Sequence, residues 1–355
     1  MSEKTVNIEG AVCAPPLPHN EQIVMGHGAG GRMSHQLIQK AFMPAFQNPA
    51  LQQGDDAALV EPDGLLQKLS ISTDSHVVWP LFFPGGDIGK LAVCGTVNDV
   101  AMLGAKPLYL TAGFILEEGL QMDTLKRVIE SMRQAAEEAG VQIVAGDTKV
   151  VQKGKADGIY ITTAGVGVVR NGASVSGANA KAGDAVILSG TIGDHGIAVL
   201  GARGELGFQS SIQSDVAPLN LLIDAMLDVS PNVHVLRDPT RGGLATTLNE
   251  IAAQSNVGVM LNEQTIPVHP EVNAACEMLG FDPLYVANEG KLVAFVARED
   301  VEKVLAVMKK TRYGEDAAII GEVTAEPKGR VLLKTALGST RVVDMLAGEM
   351  LPRIC

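Results

Sequence analysis

Apolar positions along this chain alternate between short, nearly continuous runs and longer stretches with a helical period. Leu69-Ser-Ile-Ser-Thr-Asp74 has the two-residue period of a strand, and Pro107 to Leu116, Val141 to Ala145 and Ile159 to Val169 are apolar runs of strand length. Between them, Ile88 to Leu103 reads as a helix that is apolar on nearly every face, the pattern of a helix buried all round. Met122 to Ala139 reads as a helix with one charged face, and Met33 to Phe46 as an earlier helical stretch behind a glycine-rich turn. Residues 1 to about 21, with Pro15, Pro16 and Pro18, show no period and read as a loose extension.

A Gly/Ala/Asn-rich segment, Asn171 to Gly183, interrupts the alternation, which then restarts. Asp184 to Ser189, Val257 to Leu261 and Lys291 to Val296 read as strands; His195 to Arg203, Ala217 to Leu227, Leu244 to Gln254, Val272 to Leu279 and Val301 to Thr311 read as helices. The expected organisation is an extension over 1–21, an α/β domain over 22–172, a second over 173–343 and a tail over 344–355. The tail ends Leu351-Pro352-Arg353-Ile354-Cys355, where proline opposes a helix or inner strand, so it reads as an extended, mobile arm carrying an exposed thiol. The Arg353 cation beside it would lower the thiol pKa.

Composition narrows the function classes. At 355 residues with 46% hydrophobic and 19% charged residues, the chain is an ordinary globular one with room for two domains. A formal net charge of −12 argues against a nucleic-acid binder, and no apolar run of membrane-spanning length or export signal is present, so a cytoplasmic location is expected. Cys13, Cys94, Cys276 and Cys355 lie far apart and form neither a disulfide framework nor a zinc ligand set.

The candidate chemistry lies in acidic residues at strand ends and in glycine turns. Asp55-Asp56, Asp74, Asp99 and Asp147 are spread over the first block, and Asp99 sits in the all-round apolar helix, where a carboxylate needs a proton, a cation or hydrogen bonds. Taken together they suit an oxygen-ligand site for Mg²⁺ carrying a polyphosphate; taken singly each is a cap or turn residue. Gly26-x-Gly28-x-x-Gly31 matches the dinucleotide fingerprint in form, but Pro44 and Pro49 interrupt the βαβ unit it requires. It is either a phosphate-covering loop or a plain turn. Asp238-Pro-Thr-Arg241-Gly-Gly243 opens a helix whose free N–H groups and Arg241 suit phosphate, and Gly193-Asp-His-Gly196 is a similar turn. Glu289 is either a turn residue or an available base, while His19, His76, His234 and His269 lack metal spacing.

In this order, His27-Gly-Ala-Gly-Gly31, Ser72-Thr-Asp-Ser75, Phe82-Phe-Pro-Gly-Gly86, Asn98-Asp-Val100, Gly146-Asp-Thr-Lys149, Gly193-Asp-His-Gly196, Asp238-Pro-Thr-Arg-Gly-Gly243, Asn288-Glu-Gly-Lys291 and Pro352-Arg-Ile-Cys355 resemble the HypE family of hydrogenase maturation factors. The resemblance covers roughly residues 22 to 355; the extension with Cys13 departs from the shorter family start. It implies a two-domain α/β (α+β) fold like that of aminoimidazole ribonucleotide synthetase, a homodimer, and ATP with Mg²⁺ in clefts shaped by the dimer. It further implies that Cys355 receives a carbamoyl group from HypF, is dehydrated to a thiocyanate at the expense of ATP, and passes cyanide to iron on a HypC–HypD complex. The site residues implied are Cys355, Lys149, Glu289 and Asp99 for chemistry. For the nucleotide they are Gly28, Gly30, Gly31, Asp74, Asn98, Asp147, Thr148 and Arg241, and for metal Asp55, Asp56, Asp74, Asp99, Asp147 and Asp238. A small-molecule phosphotransferase of the same superfamily and a non-catalytic cyanide carrier are the competing readings.

Overall fold

The computed structural model describes residues 23–46, 48–62, 67–204, 211–348, 351 and 353–355; the expected extension over 1–21 lies outside these residues. Helices α1 (Arg32–Leu37) and α2 (Met43–Phe46) flank a π-helical turn, Ile38–Phe42, so the helical stretch read from sequence is continuous but changes its winding ahead of Pro44. The first sheet then takes β1 (Ala58–Val60) and β2 (Leu69–His76), and a small hairpin of β3 (Phe82–Phe83) and β4 (Gly86–Asp87) leads into α3 (Ile88–Met102). After β5 (Ala105–Glu117), α4 (Met122–Ala139), β6 (Gln142–Val151) and β7 (Ile159–Val169), the sheet has the order β1-β2-β7-β5-β6. Its pairs are antiparallel except β5 with β6, which puts β6 at an edge.

α3 packs against one face of this sheet. Asp87 caps it by accepting from the N–H groups of Gly89 at 2.7 Å and Lys90 at 3.1 Å. Its apolar surface is buried all round: Leu91, Val93, Cys94, Val97, Val100 and Met102 are all inaccessible. Gly165 and Gly167 on β7 permit the close approach, since a Cβ on Gly167 would lie 2.6 Å from both Val100 Cγ1 and the Lys106 carbonyl oxygen. α4 behaves as an amphipathic helix should, burying Val128, Met132, Ala135, Ala136 and Ala139 and leaving its charged face in water.

The second half contains β8 (Ala185–Leu188), α5 (Asp194–Ala202), α6 (Asn220–Val229), β9 (Val233–Arg237), α7 (Gly243–Gln254), β10 (Gly258–Asn262), α8 (Pro270–Leu279), β11 (Val293–Val296), α9 (Val301–Met308), β12 (Ala318–Thr324), β13 (Arg330–Lys334) and β14 (Thr340–Val343). Its sheet has the order β14-β13-β10-β12-β8-β11-β9, parallel only at β10–β13. One core lies between this sheet and α7 (Leu188, Leu244, Leu248, Phe295), and another lies towards α6 and α9 (Leu222, Met226, Ala294, Val304). The α/β class read from sequence is the class observed. β9 was not foreseen, and β6 runs six residues beyond the Ala145 end read from the apolar run.

Polar joints lock the halves together. Asn98 donates to the Ala217 carbonyl at 3.0 Å and accepts from the Leu219 N–H at 2.8 Å. Asp55 accepts from the Ser176 hydroxyl at 2.7 Å and the Gly177 N–H at 2.8 Å. Gly167→Ala should force β7 and α3 apart and cost about 1–3 kcal/mol in urea unfolding; an unchanged midpoint would refute the close-packing account.

Candidate functional site

A cleft of about 630 Å³ lies where the glycine loop, the Asp238–Gly243 turn and the chain end meet, lined among others by Gly28, Ala29, Arg241, Gly242, Ile354 and Cys355. Each wall has a local cause. Gly30 has φ +75°, and a Cβ there would press on Arg241 Cβ at 3.0 Å, so glycine lets the loop lie directly over Arg241. Gly31 is pinned differently: the following Arg32 N–H donates to the Leu346 carbonyl at 3.1 Å. Arg241 stands just before α7, whose N-cap Gly242 has φ +81°.

The chain end is not a free arm. Ile354 is 3% and Cys355 8% exposed, and the segment pairs through main-chain bonds, Val77 N–H to the main-chain oxygen of Cys355 at 3.0 Å and Trp79 N–H to the Arg353 carbonyl at 3.2 Å. Arg353 anchors it by donating to the Val77 carbonyl at 3.1 Å and pairing with Asp157. Arg203 donates to the Arg353 carbonyl at 2.8 Å. The expectation of an exposed thiol activated by Arg353 is therefore corrected. Burial pushes the Cys355 thiol up to about 12; Arg241, which hydrogen-bonds it, pulls the other way, and Glu289 and Asp74 add to the rise. In this position Cys355 is a protonated, protected thiol.

Beside it lies a cluster of acids. Asp99 is pushed well above the carboxylate range by burial and then by the charges of Asp238, Asp74 and Asp56, while the Ser72 hydroxyl donates to it at 2.7 Å. Burial raises Asp238 to about 6 against the pull of Arg237. For Asp74, burial acts upward, but His76 at 3.2 Å, Arg241 and the Ser75 N–H together hold it at about 2. Asp56 makes an ion pair with Arg237 at 2.6 Å. Glu289 is 5% exposed and raised by burial and by Asp74, Asp238 and Asp215, and its Oε1 has no hydrogen-bond partner among the described residues.

The structure therefore gathers Cys355, Arg241, Glu289, Asp74, Asp99 and Asp238, with Gly28 and Gly30 overhead. Other sequence candidates fall elsewhere. Asn98 uses both ends of its amide on residues 217 and 219, so it is a joint between the halves rather than a nucleotide ligand. Asp55 is similarly committed to Ser176 and Gly177. Asp147, Thr148 and Lys149 lie on the exposed edge strand, where Lys149 pairs with Asp147 at 2.6 Å and their side chains are 70% and 71% exposed. The register Asp74–Thr163–Ala112–Gly146 puts them three strands, about 14 Å, from Asp74. Alternation then points Asp147 and Lys149 to the opposite face. One chain thus does not assemble the full set. Among the described residues no three His, Cys, Asp or Glu side chains are arranged to hold a metal ion. The donor type and the crowding of Asp99 by three like charges nevertheless suit a hard cation whose shell phosphate oxygens complete.

Several supporting residues carried no sequence signal that set them apart. His76 holds Asp74, Arg237 holds Asp56, and Asn288 stitches three loops by accepting from the Gly193 N–H at 2.7 Å and donating to the Pro239 carbonyl at 2.8 Å. Asn288 stood inside the Asn288-Glu-Gly-Lys291 phrase, which was the available clue.

Comparison with known proteins bears on the family and the fold. Residues 54–169 match the family model of the AIR synthase related protein N-terminal domain, and residues 181–334 match its C-terminal domain. The carbamoyl dehydratase HypE of Cupriavidus necator is 59% identical over 335 residues, covering 94% of this chain and 95% of that protein. The carbamoyl dehydratase HypE of Escherichia coli K12 is 48% identical over 336 residues, covering 94% and 99%. The chain belongs to the HypE family. Among solved HypE structures, that of a HypE–HypF complex superposes with a TM-score of 0.82 at 53% identity, covering 87% of this chain and 99% of that one. The structure of HypE in complex with ATP gives 0.78 at 50% identity, covering 94% and 100%. No described helix is long and apolar enough to cross a membrane.

Two measurements check the site's electrostatics. Iodoacetamide at pH 8 should modify Cys355 on the order of a hundred- to a thousandfold more slowly in the folded chain than in urea; equal rates would show an undocked segment. Asp238 has a raised folded pKa, so its contribution to stability is present below the ordinary 3.8 and lost as pH rises through about 6. Asp238→Asn should accordingly gain stability relative to wild type at pH 7.5 and not at pH 3.5, as read by paired urea titrations.

Proposed function

We propose that this chain is an ATP-dependent carbamoyl dehydratase whose substrate is carried on its own Cys355. The observation that carries this reading is the position of that thiol, docked against Arg241 in a cleft roofed by a glycine loop, with Glu289 and a carboxylate cluster close enough to act on it through their charge. Two relatives at 59% and 48% identity bear the name carbamoyl dehydratase, and a HypE structure at 50% identity is described as a complex with ATP.

The chemistry follows from the groups present. Cys355 carries S–C(=O)–NH₂. Hydroxide is a poor leaving group, so the carbamoyl oxygen attacks the γ-phosphorus of ATP, a nitrogen proton departs, and ADP is released from an O-phosphorylated imidate. Loss of the remaining nitrogen proton forms C≡N as the C–O bond breaks and phosphate leaves. Glu289, once ionised, takes a proton at nitrogen; burial and the neighbouring carboxylates make that carboxylate the stronger base. Arg241, which remains charged beside Cys355, steadies the negative charge that develops on the carbamoyl and phosphoryl oxygens. Asp74, Asp99 and Asp238, with Asp56 behind them, are the residues that would hold Mg²⁺ on the nucleotide, and the ion would neutralise phosphate charge.

Lys149 and Asp147 reach such a site only from a second copy. Their face of the sheet also carries Ile71, Tyr109 and Ile115, each more than 40% exposed, an apolar surface that a homodimer would cover. In this reading the Cys355 segment undocks to collect carbamoyl from HypF and to deliver cyanide to iron on HypC–HypD, within the cytoplasm. A HypE–HypF crystal complex supports the first partner.

Intact-mass spectrometry tests the proposal. After incubation with HypF and carbamoyl phosphate, Cys355 should gain a carbamoyl group and then lose the mass of water only when ATP and Mg²⁺ are present. An unmodified mass in an active mixture, or full activity of Cys355→Ala, would sink it. A phosphotransferase acting on a free small molecule would leave Cys355 dispensable, and a carrier would acquire cyanide without consuming ATP.

A further inference from the structure

Within the Gly193-Asp-His-Gly196 turn, the histidine reaches the docked chain end. His195, at the start of α5, is fully buried; its Nε2 lies 2.8 Å from the Ile354 carbonyl oxygen and its Nδ1 lies 2.8 Å from the Ser214 hydroxyl. A carbonyl can only accept, so Nε2 carries the proton, and Nδ1 accepts from Ser214. Burial lowers the pKa of His195 against the opposing charge of Asp215, in keeping with this neutral form. Ser214 is itself fixed, since its N–H donates to the Pro84 carbonyl at 2.8 Å and its oxygen accepts from the Val216 N–H at 3.2 Å. Phe83 packs against the imidazole in a T-shaped pair, with ring centroids 5.4 Å apart and an interplanar angle of 87°.

The geometry points to His195 as the positioning residue that sets the register of the chain end and so places the Cys355 sulfur at Arg241 and Glu289. Arg241 meets the thiol itself, while main-chain pairing, Arg353 and Arg203 fix residues 353 and 355 along residues 77–79. His195 is the side chain that grips the peptide group between them, directly before the reacting residue. That carbonyl is buried, so without the ring it loses its partner and docking weakens relative to undocking into water. The ring nitrogens of His195 are committed to Ser214 and Ile354, so it acts through the Ile354 carbonyl. The assignment rests on the carbamoyl dehydratase reading for its purpose but not for its geometry.

The experiment uses the full chain and follows iodoacetamide modification of Cys355 by intact mass in wild type, His195→Ala, His195→Gln and Ser214→Ala. His195→Ala should raise the rate about tenfold, equivalent to about 1.4 kcal/mol, with the thermal midpoint of the body and ATP binding unchanged. Gln offers an N–H near the position of Nε2 and should restore most of the protection. In single-turnover assays on carbamoylated Cys355, His195→Ala should slow loss of water without weakening ATP binding, and Gln should rescue it. A wild-type modification rate in His195→Ala, or no rescue by Gln in either assay, overturns the assignment. Should His195→Ala fail to fold, Ser214→Ala releases the ring and should raise modification in the same direction; a wild-type rate there overturns the assignment equally. If wild type never loses water with ATP, the dehydratase reading fails, and the modification rates alone decide whether His195 sets the register.

Discussion

Everything in this molecule hangs on the burial of α3. A helix apolar on all sides has no stable place in water, so the first sheet must cover one side, and α4 together with α6 and β9 of the second half must cover the rest. Glycines at 165 and 167 remove the side chains that would hold the sheet away. Two adjacent polar residues on this helix then acquire opposite duties. Asn98 satisfies the backbone at 217–219 and fastens the halves, while Asp99 faces the carboxylate cluster and the Ser72 hydroxyl. A buried polar pair of this kind is costly unless each member is answered, and each is answered by a different half of the architecture.

The cluster is consequently built with unfavourable electrostatics of its own. The charge of Asp74 raises the proton affinity of Asp99, Asp238 and Glu289, and the charge of Asp238 raises that of Asp56, Asp99 and Glu289, while the cations facing them are Arg237 on one side and Arg241 on the other. Arg237 is bound up with Asp56 and Glu250, whereas Arg241 lines the cleft and hydrogen-bonds the Cys355 thiol. Such a site favours a ligand bringing both anionic oxygens and compensating cations, as a nucleotide with its counter-ion does.

Local pattern made most elements legible. The strand Ile159–Val169 and the helix Met122–Ala139 coincide with their periodic stretches, because each has one covered face and one wet one. β9, at Val233–Arg237, is a short apolar run between Pro231 and Asp238 that periodicity does not distinguish from a loop, and only its pairing with β11 makes it a strand. The unforeseen placement of Asp147 has the same origin. A strand read as ending at Ala145 continues to Val151 because β5 alongside it does, which carries Asp147 and Lys149 out along an edge. Ordered motifs pointed to Asp74, Asp99, Arg241 and Glu289, yet motif order contains no distances and did not separate them from Asn98 and Asp55. The docked chain end was illegible for a stronger reason. Its partners, at 77–79, 157, 195 and 203, are all distant in sequence, and nothing in Pro-Arg-Ile-Cys encodes a β-type pairing with them.

The pairing of residues 353–355 with residues 77–79 has a kinetic consequence in the proposed reading. A group attached to this cysteine has no concentration of its own. Its presence in the cleft is a docking equilibrium within one chain, independent of dilution, so saturation applies to ATP and to the partner proteins and not to the reacting group. The protein's throughput would then be governed by how often a short stretch of main-chain hydrogen bonds opens and closes, a quantity on which protein concentration has no hold.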